Sequence, residues 1–251
     1  MAQNNNSKYI DRCLGSIIKQ DYDNIEILFI DDFSTDDSLK IANKFKKKIR
    51  IITKTTPKRI AASRNQAENI YTCFRKSRGK IIFLIDSDDY FKEKKISCVV
   101  NEFKKKKANI IFDLPTLKSQ SLDKNKKFSN SLLKNYWSYI PPTSCIAIKR
   151  EAFLKIYEYI YFEKYPSIWL DFRIGIISKY ILEEYNIINK NLTYYWQSQN
   201  NISSKNRYLT INWWKRRMEA HEFVRYLLTK NKIKYEKNFD YLITKIINLL
   251  I

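Results

Sequence analysis

A chain of 251 residues, 44% of them hydrophobic and 15% aromatic, has apolar mass for one large domain, alone or with a helical appendage, and is not disordered or fibrous. Its 47 Lys and Arg against 26 Asp and Glu leave a formal charge of +21, which favours an anionic partner without choosing among nucleic acid, nucleotide and acidic membrane. Four scattered cysteines with no CxxC spacing, no apolar run of the roughly 18 residues a membrane span needs, and a short polar start argue against a zinc site, a disulfide framework, a transmembrane helix and a signal peptide; a reduced cytoplasm fits.

Helical and strand patterns alternate through the first half. Ile10, Cys13, Leu14, Ile17 and Ile18 share one face of a helix predicted over Lys8 to Gln20. Ile25 to Asp32 reads as a buried strand ending in acid. A helix follows, with Ser34 or Thr35 as N-cap and Asp36 and Asp37 in its first turn, where carboxylates suit the helix dipole. Ile49 to Thr53 is a second strand, Arg59 to Ser77 a helix stopped by Gly79, and Lys80 to Asp86 a third strand. Such alternation of near-continuous apolar strands with helices predicts a parallel sheet covered on both faces. The pattern then loosens. A helix up to Lys107 leads to a strand at Asn109 to Asp113 and a polar, mobile-looking loop from Lys118 to Asn130. Thr143 to Phe153 reads as strand into helix, Ile168 to Ile181 as a helix whose start carries Asp171, and Tyr208 to Ile251 as a helical tail.

Two strands end in carboxylates, at Asp31 and Asp32 and at Asp86, Asp88 and Asp89. Ligands of sheets of this kind bind beyond the carboxyl ends of the strands, so both clusters are expected in one crevice. Carboxylates this close repel one another unless solvent, hydrogen bonds or a cation offsets the repulsion. Mg²⁺ or Mn²⁺ does so directly, taking one or two carboxylates together with substrate phosphates. The competing reading of Asp86 to Asp89 is an ordinary polar turn with a helix cap.

The segments YIDRCLGSIIKQDYDNIEILFIDDFSTDDS and SRGKIIFLIDSDD together resemble the family 2 glycosyltransferases, nucleotide-sugar enzymes of the GT-A fold. The resemblance rests on Gln20 to Tyr22, on Asp31, Asp32, Ser34 and Asp36, on Ala62, Ser63, Arg64 and Asn65, and on the Asp-x-Asp of Asp86, Ser87 and Asp88. It implies an α/β, GT-A-type, Rossmann-like and mostly parallel sheet flanked by helices, with a C-terminal helical appendage. The implied division is a transferase domain over 1–207, its nucleotide-sugar half about 1–107 and its acceptor half about 108–207, followed by an extension at 208–251.

By resemblance, Asp32 accepts a hydrogen bond from the nucleobase, usually uracil, and Arg64 helps hold the nucleotide or its diphosphate. Asp86 and Ser87 face the ribose side, Asp86 and Asp88 take Mn²⁺ or Mg²⁺, and Asp89 supports them. In SIWLDFR, Asp171 matches the catalytic base, with Leu170 where Glu is frequent. Gln197 and Gln199 stand near the place of a histidine that can assist the metal or phosphate. The reaction implied is an inverting transfer of sugar from a nucleotide-sugar donor, a UDP-sugar by preference, to a glycan or lipid-linked acceptor, in bacterial polysaccharide biosynthesis.

Members of the family start with a strand of the type Ile-Ile-Ile-Pro-x-Tyr-Asn; here only MAQNNNS precedes the first helix, so that strand is expected to be absent. Either the chain begins late relative to the natural gene product, or another segment fills the gap, or the protein is an inactive, truncated relative. The non-enzyme alternative, a basic nucleic-acid-binding protein, draws on the net charge and on NWWKRR at Asn212 to Arg217, but no recognition motif accompanies it and nucleic acid is not the expected partner. A haloacid-type phosphatase expects Thr or Val where Tyr90 stands, and a nucleotidylyltransferase expects a glycine-rich loop that a chain with three glycines lacks. Trp213 to Arg217 has two readings, peripheral contact of 208–251 with the inner face of an anionic membrane or packing of an aromatic face on the catalytic domain. His221, the single histidine, is read as structural or exposed.

Overall fold

The computed structural model describes residues 1–54, 61–119, 123–125, 140–197 and 208–251. The alternation of the first half becomes β1 (Ala2–Gln3), α1 (Ser7–Ile18), β2 (Leu28–Asp31), α2 (Ser38–Asn43), β3 (Arg50–Thr53), α3 (Ala62–Lys76) and β4 (Ile81–Phe83). Beyond it come β5 (Tyr90–Phe91), α4 (Lys95–Lys105), β6 (Ile110–Lys118), β7 (Asp123–Asn125), β8 (Ile146–Lys149), α5 (Arg150–Glu158), α6 (Leu170–Ile177), β9 (Tyr185–Trp196), α7 (Ile211–Lys230) and α8 (Phe239–Leu250). The predicted apolar face of α1 is the buried one: Ile10, Cys13, Leu14 and Ile17. Ile10 and Leu14 pack on Phe29, Ala42 and Ile49, while Cys13 and Ile17 pack on Ile85 and Phe91, so one helix clamps the ends of β2 and β4.

The sheet is built in two parts. β1, β2 and β3 run parallel, with Gln3 opposite Asp31 and Asp31 opposite Thr53. The second part is mixed, in the order β4-β8-β6-β9-β5 with β7 on β6; only β6 and β9 are parallel within it. A single parallel bridge from Ala2 to Asp86 joins the two parts. That bridge corrects one expectation. The first strand is not absent: Ala2–Gln3 fills its place between β2 and the end of β4, the Ile30 N–H donating to the Met1 carbonyl at 3.0 Å and the Asp32 N–H to the Gln3 carbonyl at 2.9 Å. A cavity of about 760 Å³ continues the line of β1 between Ile25–Leu28 and Ile81–Ile85, closed by Met1, Ile17, Cys73, Phe74, Ile96 and Val100.

The main core lies behind the second part of the sheet, where Ile110, Ile146 and Ile148 meet Phe153 and Ile156 of α5 and Ile174 and Ile177 of α6. Phe223, Val224 and Leu227 of α7 belong to the same cluster, all fully buried. Arg173 is buried there too, its guanidinium donating to the carbonyls of Ile160 and Tyr165 and so closing the turn that leads into α6. Of the polar loop, Asp123–Asn125 forms a strand on β6, while 120–122 and 126–139 lie outside the described residues.

Candidate active site

The register of β1 decides where the acids go. Gln3 stands opposite Asp31 on one side and Ala2 opposite Asp86 on the other, so the acidic ends of β2 and β4 flank one strand at the same level. Two strand spacings put them about 10 Å apart.

Each acid in these ends has a different environment. Asp31 is buried and holds the turn after β2, accepting from the Gln3 side-chain amide and from the Ser34 N–H at 3.1 Å. Asp32 faces Lys54, whose Nζ lies 3.0 Å from its Oδ1. Asp86 accepts from Gln66 Nε2 at 2.6 Å, and the Ser87 hydroxyl accepts from Asn6 Nδ2 at 2.6 Å, tying the Asp-x-Asp loop to α3 and to the start of α1. Arg12 donates to the Asp88 carbonyl at 3.0 Å, and its guanidinium stacks between the rings of Tyr90 and Trp196. Asp89 is fully buried; it accepts from the Ser144 hydroxyl and, at 2.8 Å, from the Trp196 N–H. The same Ser144 Oγ accepts from the Asp86 N–H at 2.9 Å.

Behind this loop sits a buried ion pair. Lys95 Nζ lies 2.8 Å from Asp113 Oδ1 with both side chains sealed from solvent, and it also donates to the Ser144 carbonyl and to the Thr193 hydroxyl. A buried charge pair is tolerated when its remaining hydrogen-bonding capacity is filled, as here. The pair therefore fixes Ser144, and Ser144 fixes both Asp86 and Asp89.

The base candidate comes from the other half of the chain. Asp171 lies in the first turn of α6, where the Phe172 N–H donates to it at 2.7 Å. Burial pushes its carboxyl up to about 6, against the pull of the Phe172 N–H and of the nearby Arg216 guanidinium. Asp86 is pushed up to about 7 by burial first, then by the charges of Asp88 and Asp171, with the Gln66 amide pulling the other way. Asp86 thus feels the charges of both Asp88 and Asp171. Of the remaining expected residues, Asp32 opens on the far side of β1, and Arg64 turns to Glu68 at 2.8 Å and Glu163 at 3.5 Å. Gln199 lies outside the described residues.

Residues 2–162 match the model of glycosyl transferase family 2, well over half of the chain. The chain belongs to that family. Over 110 residues this chain is 31% identical to the glycosyltransferase GlyG of Streptococcus pneumoniae, covering 43% of this chain and 35% of that one. Over 83 residues it is 42% identical to WfaP of Escherichia coli, a UDP-Glc:alpha-D-GlcNAc-diphosphoundecaprenol beta-1,3-glucosyltransferase, covering 33% and 31% respectively. The matched stretches thus span about a third of the length of these curated relatives. Its fold is that of Staphylococcus aureus TarS in complex with UDP, with a TM-score of 0.61 at 17% identity over 89% of this chain and 64% of that one. It is also that of the mannosyltransferase PcManGT of Pyrobaculum calidifontis in complex with GDP-Man and Mn²⁺, with a TM-score of 0.57 at 13% identity over 97% and 67%. The GT-A architecture expected from the motifs is the one observed.

The donor set of the crevice fits a hard divalent cation. Asp86 and Asp88 offer only oxygen, and the charge of Asp88 adds to the burial that raises the Asp86 carboxyl, a repulsion that a divalent cation would relieve. Among the described residues no group of three or more His, Cys, Asp or Glu side chains could hold an ion by itself. Two carboxylates completed by water and a donor's phosphates is the arrangement Mg²⁺ favours.

Sequence reading missed Gln66, Asn6, Ser144 and Arg216. Arg216 of α7 lies in the Trp213 to Arg217 stretch, for which membrane contact and packing on the catalytic domain were both open, and it is 4% exposed. It donates to the Ser167 carbonyl at 2.7 Å and to the Ser63 hydroxyl at 3.1 Å, and stacks 3.5 Å from the Trp169 ring centre. Nothing local signals this, because Ser63 and Arg216 are 153 residues apart.

Proposed function

We infer that this glycosyltransferase moves a sugar from a UDP-sugar to a hydroxyl of a glycan or lipid-linked acceptor, with inversion at the anomeric carbon. The observation that carries the reading is the match of residues 2–162 to glycosyl transferase family 2, supported by the charge of Asp171, from the other half of the chain, acting on Asp86. Asp32, beside Lys54, takes the nucleobase, and Asp86 and Ser87 take the ribose side; Asp86 and Asp88 would hold Mn²⁺ or Mg²⁺. Bound there, the cation supplies charge neutralisation of the leaving diphosphate. For Arg64 to reach that diphosphate it must leave Glu68, at 2.8 Å, as well as Glu163, whose side chain is 89% exposed and gives that pair little hold.

Asp171 accepts the proton of the acceptor hydroxyl as the oxygen bonds to the anomeric carbon. The bond from that carbon to the diphosphate oxygen breaks on the opposite face, and UDP departs with the electron pair. A base whose carboxyl sits near 6 is ionised at neutral pH yet stronger than an ordinary aspartate. The partly buried Trp169 and the buried Arg216 border it and limit water there. The four cysteines are free thiols, in keeping with a cytoplasmic site of action at the inner membrane face, where lipid-linked acceptors are glycosylated.

The test is release of UDP from a panel of UDP-sugars with Mn²⁺ and purified protein. Asp88→Asn and Asp171→Asn should each lower turnover by roughly a hundredfold or more while the melting temperature stays within a few degrees. Full activity in either variant removes that residue from its role, and no UDP release with any donor removes the reading.

A further inference from the structure

The α7–α8 hairpin leaves an apolar stripe uncovered. Helix α8 is docked by polar pins: Asp240 receives the Arg217 guanidinium and lies 2.7 Å from His221 Nε2, and Asn248 Nδ2 donates to the Trp214 carbonyl at 3.1 Å. Tyr241 and Thr244 face inward as a result. The opposite face carries Phe239, Leu242, Ile246, Leu249 and Leu250, exposed by 77, 47, 58, 77 and 79%. Their spacing follows one side of a helix, and ten residues of it run about 15 Å. Because Asn248 reaches Trp214, the far end of the stripe meets the start of α7, where Leu209 and Ile211 are also exposed by 55 and 54%. An exposed apolar strip of this continuity is unusual for a free surface and marks a contact.

Charge selects the contact. Lys232, Lys234, Lys237 and Lys245 are exposed around the stripe, with Glu236 as the single exposed acid of α8 and the turn before it, and Glu236 is itself 3.4 Å from Lys234. A second copy would bring the same lysines against each other. An anionic bilayer instead accepts the apolar side chains among its acyl chains and the ammonium groups at its phosphates. The four lysines hold this charge excess locally, within a chain of +21. No helix among the described residues is long and apolar enough to cross a membrane, so the contact lies in the interface plane.

We propose that the exposed face of α8, with the start of α7, is a docking surface for an anionic lipid bilayer, seating the catalytic crevice beside the membrane. This deepens the proposed use of lipid-linked acceptors, and it is tested without any sugar nucleotide. Flotation of the full chain with vesicles of phosphatidylcholine containing about 30% phosphatidylglycerol should carry the protein up; vesicles of phosphatidylcholine alone should bind at least tenfold less, and 0.5 M NaCl should weaken the anionic case. The double variant Leu242→Glu with Ile246→Glu, both at exposed positions, should keep the melting temperature and lose at least tenfold in vesicle binding. The proposal falls if the wild-type chain stays in the aqueous fraction with anionic vesicles, if the double variant floats as well as wild type, or if light scattering shows a dimer that the double variant abolishes while vesicle binding is absent. UDP release by the double variant in free solution, equal to wild type, separates this surface from the catalytic reading, which stands or falls on the Asp88 and Asp171 variants.

Discussion

Asp86 and Asp171 are the side chains whose protonation reports on the crevice. Both have carboxyls raised from 3.8, to about 7 and about 6, chiefly by burial. An acid raised on folding holds its proton in the folded state over a window where the unfolded chain has lost it. The ligand-free protein is therefore favoured below that window and loses stability as pH climbs from about 4 to about 7, by on the order of a few kcal/mol for shifts of this size. A cation and UDP require Asp86 ionised, so their stabilisation runs the opposite way. Thermal melts should show the rise in melting temperature from Mn²⁺ with UDP growing between about pH 5 and pH 7.5, and Asp86→Asn should flatten both trends. A ligand-induced rise that is constant across this range counts against Asp86 as the ionised partner of the cation. The supporting place that the resemblance implied for Asp89 has a physical basis in its surroundings. Asp86, Asp88 and Asp89 are chemically alike, and Asp89 is set apart because Ser144 and the Trp196 N–H enclose it.

β1 shows how an element can be too short to read. Two residues carry no periodicity, and Ala2–Gln3 sits in a polar stretch, so propensity gives no signal. It forms because β2 and the end of β4 present unpaired backbone groups on either side, and unmet backbone polarity is costly. A cavity of about 760 Å³ lies beside it, between Ile25–Leu28 and Ile81–Ile85. An N-terminal extension of about five apolar, β-branched residues should enter that gap and raise the melting temperature by several degrees, given about 0.8 kcal/mol for each buried methylene. A Gly-Ser extension of the same length should leave it unchanged. Equal melting temperatures for the two extensions would show that the gap does not admit a strand. β9 was missed for a different reason. Its middle, Asn189 to Asn191, is polar, and only pairing with β6 on one side and β5 on the other makes those twelve residues extended.

For the molecule as a unit, the open question was whether the helical tail is an attachment or part of the body. Phe223, Val224 and Leu227 of α7 share a core with Phe153, Ile156 and Phe172, and Arg216 reaches back to Ser63. Ending the chain at residue 207 would expose several large apolar side chains, each contributing about 1.5–3 kcal/mol of burial, against a total stability of only about 5–15 kcal/mol. That truncation should give a protein without near-UV circular dichroism. Ending it after Lys230 instead removes α8, whose outward face is already exposed, and should keep the fold and the release of UDP. A cooperatively folded 1–207 fragment would show that α7 is dispensable.

The Asp-x-Asp, the acidic pair after β2 and the apolar runs ahead of them were enough to identify the family and its fold, because short-range patterning dictates which strands are buried and what stands at their ends. The mixed pairing of the second sheet, the support of the acidic loop by Lys95, Asp113 and Ser144, and the approach of Arg216 to Asp171 came only with the folded chain. Those contacts join residues from tens to more than a hundred positions apart, and no local pattern encodes a distance that only packing brings about.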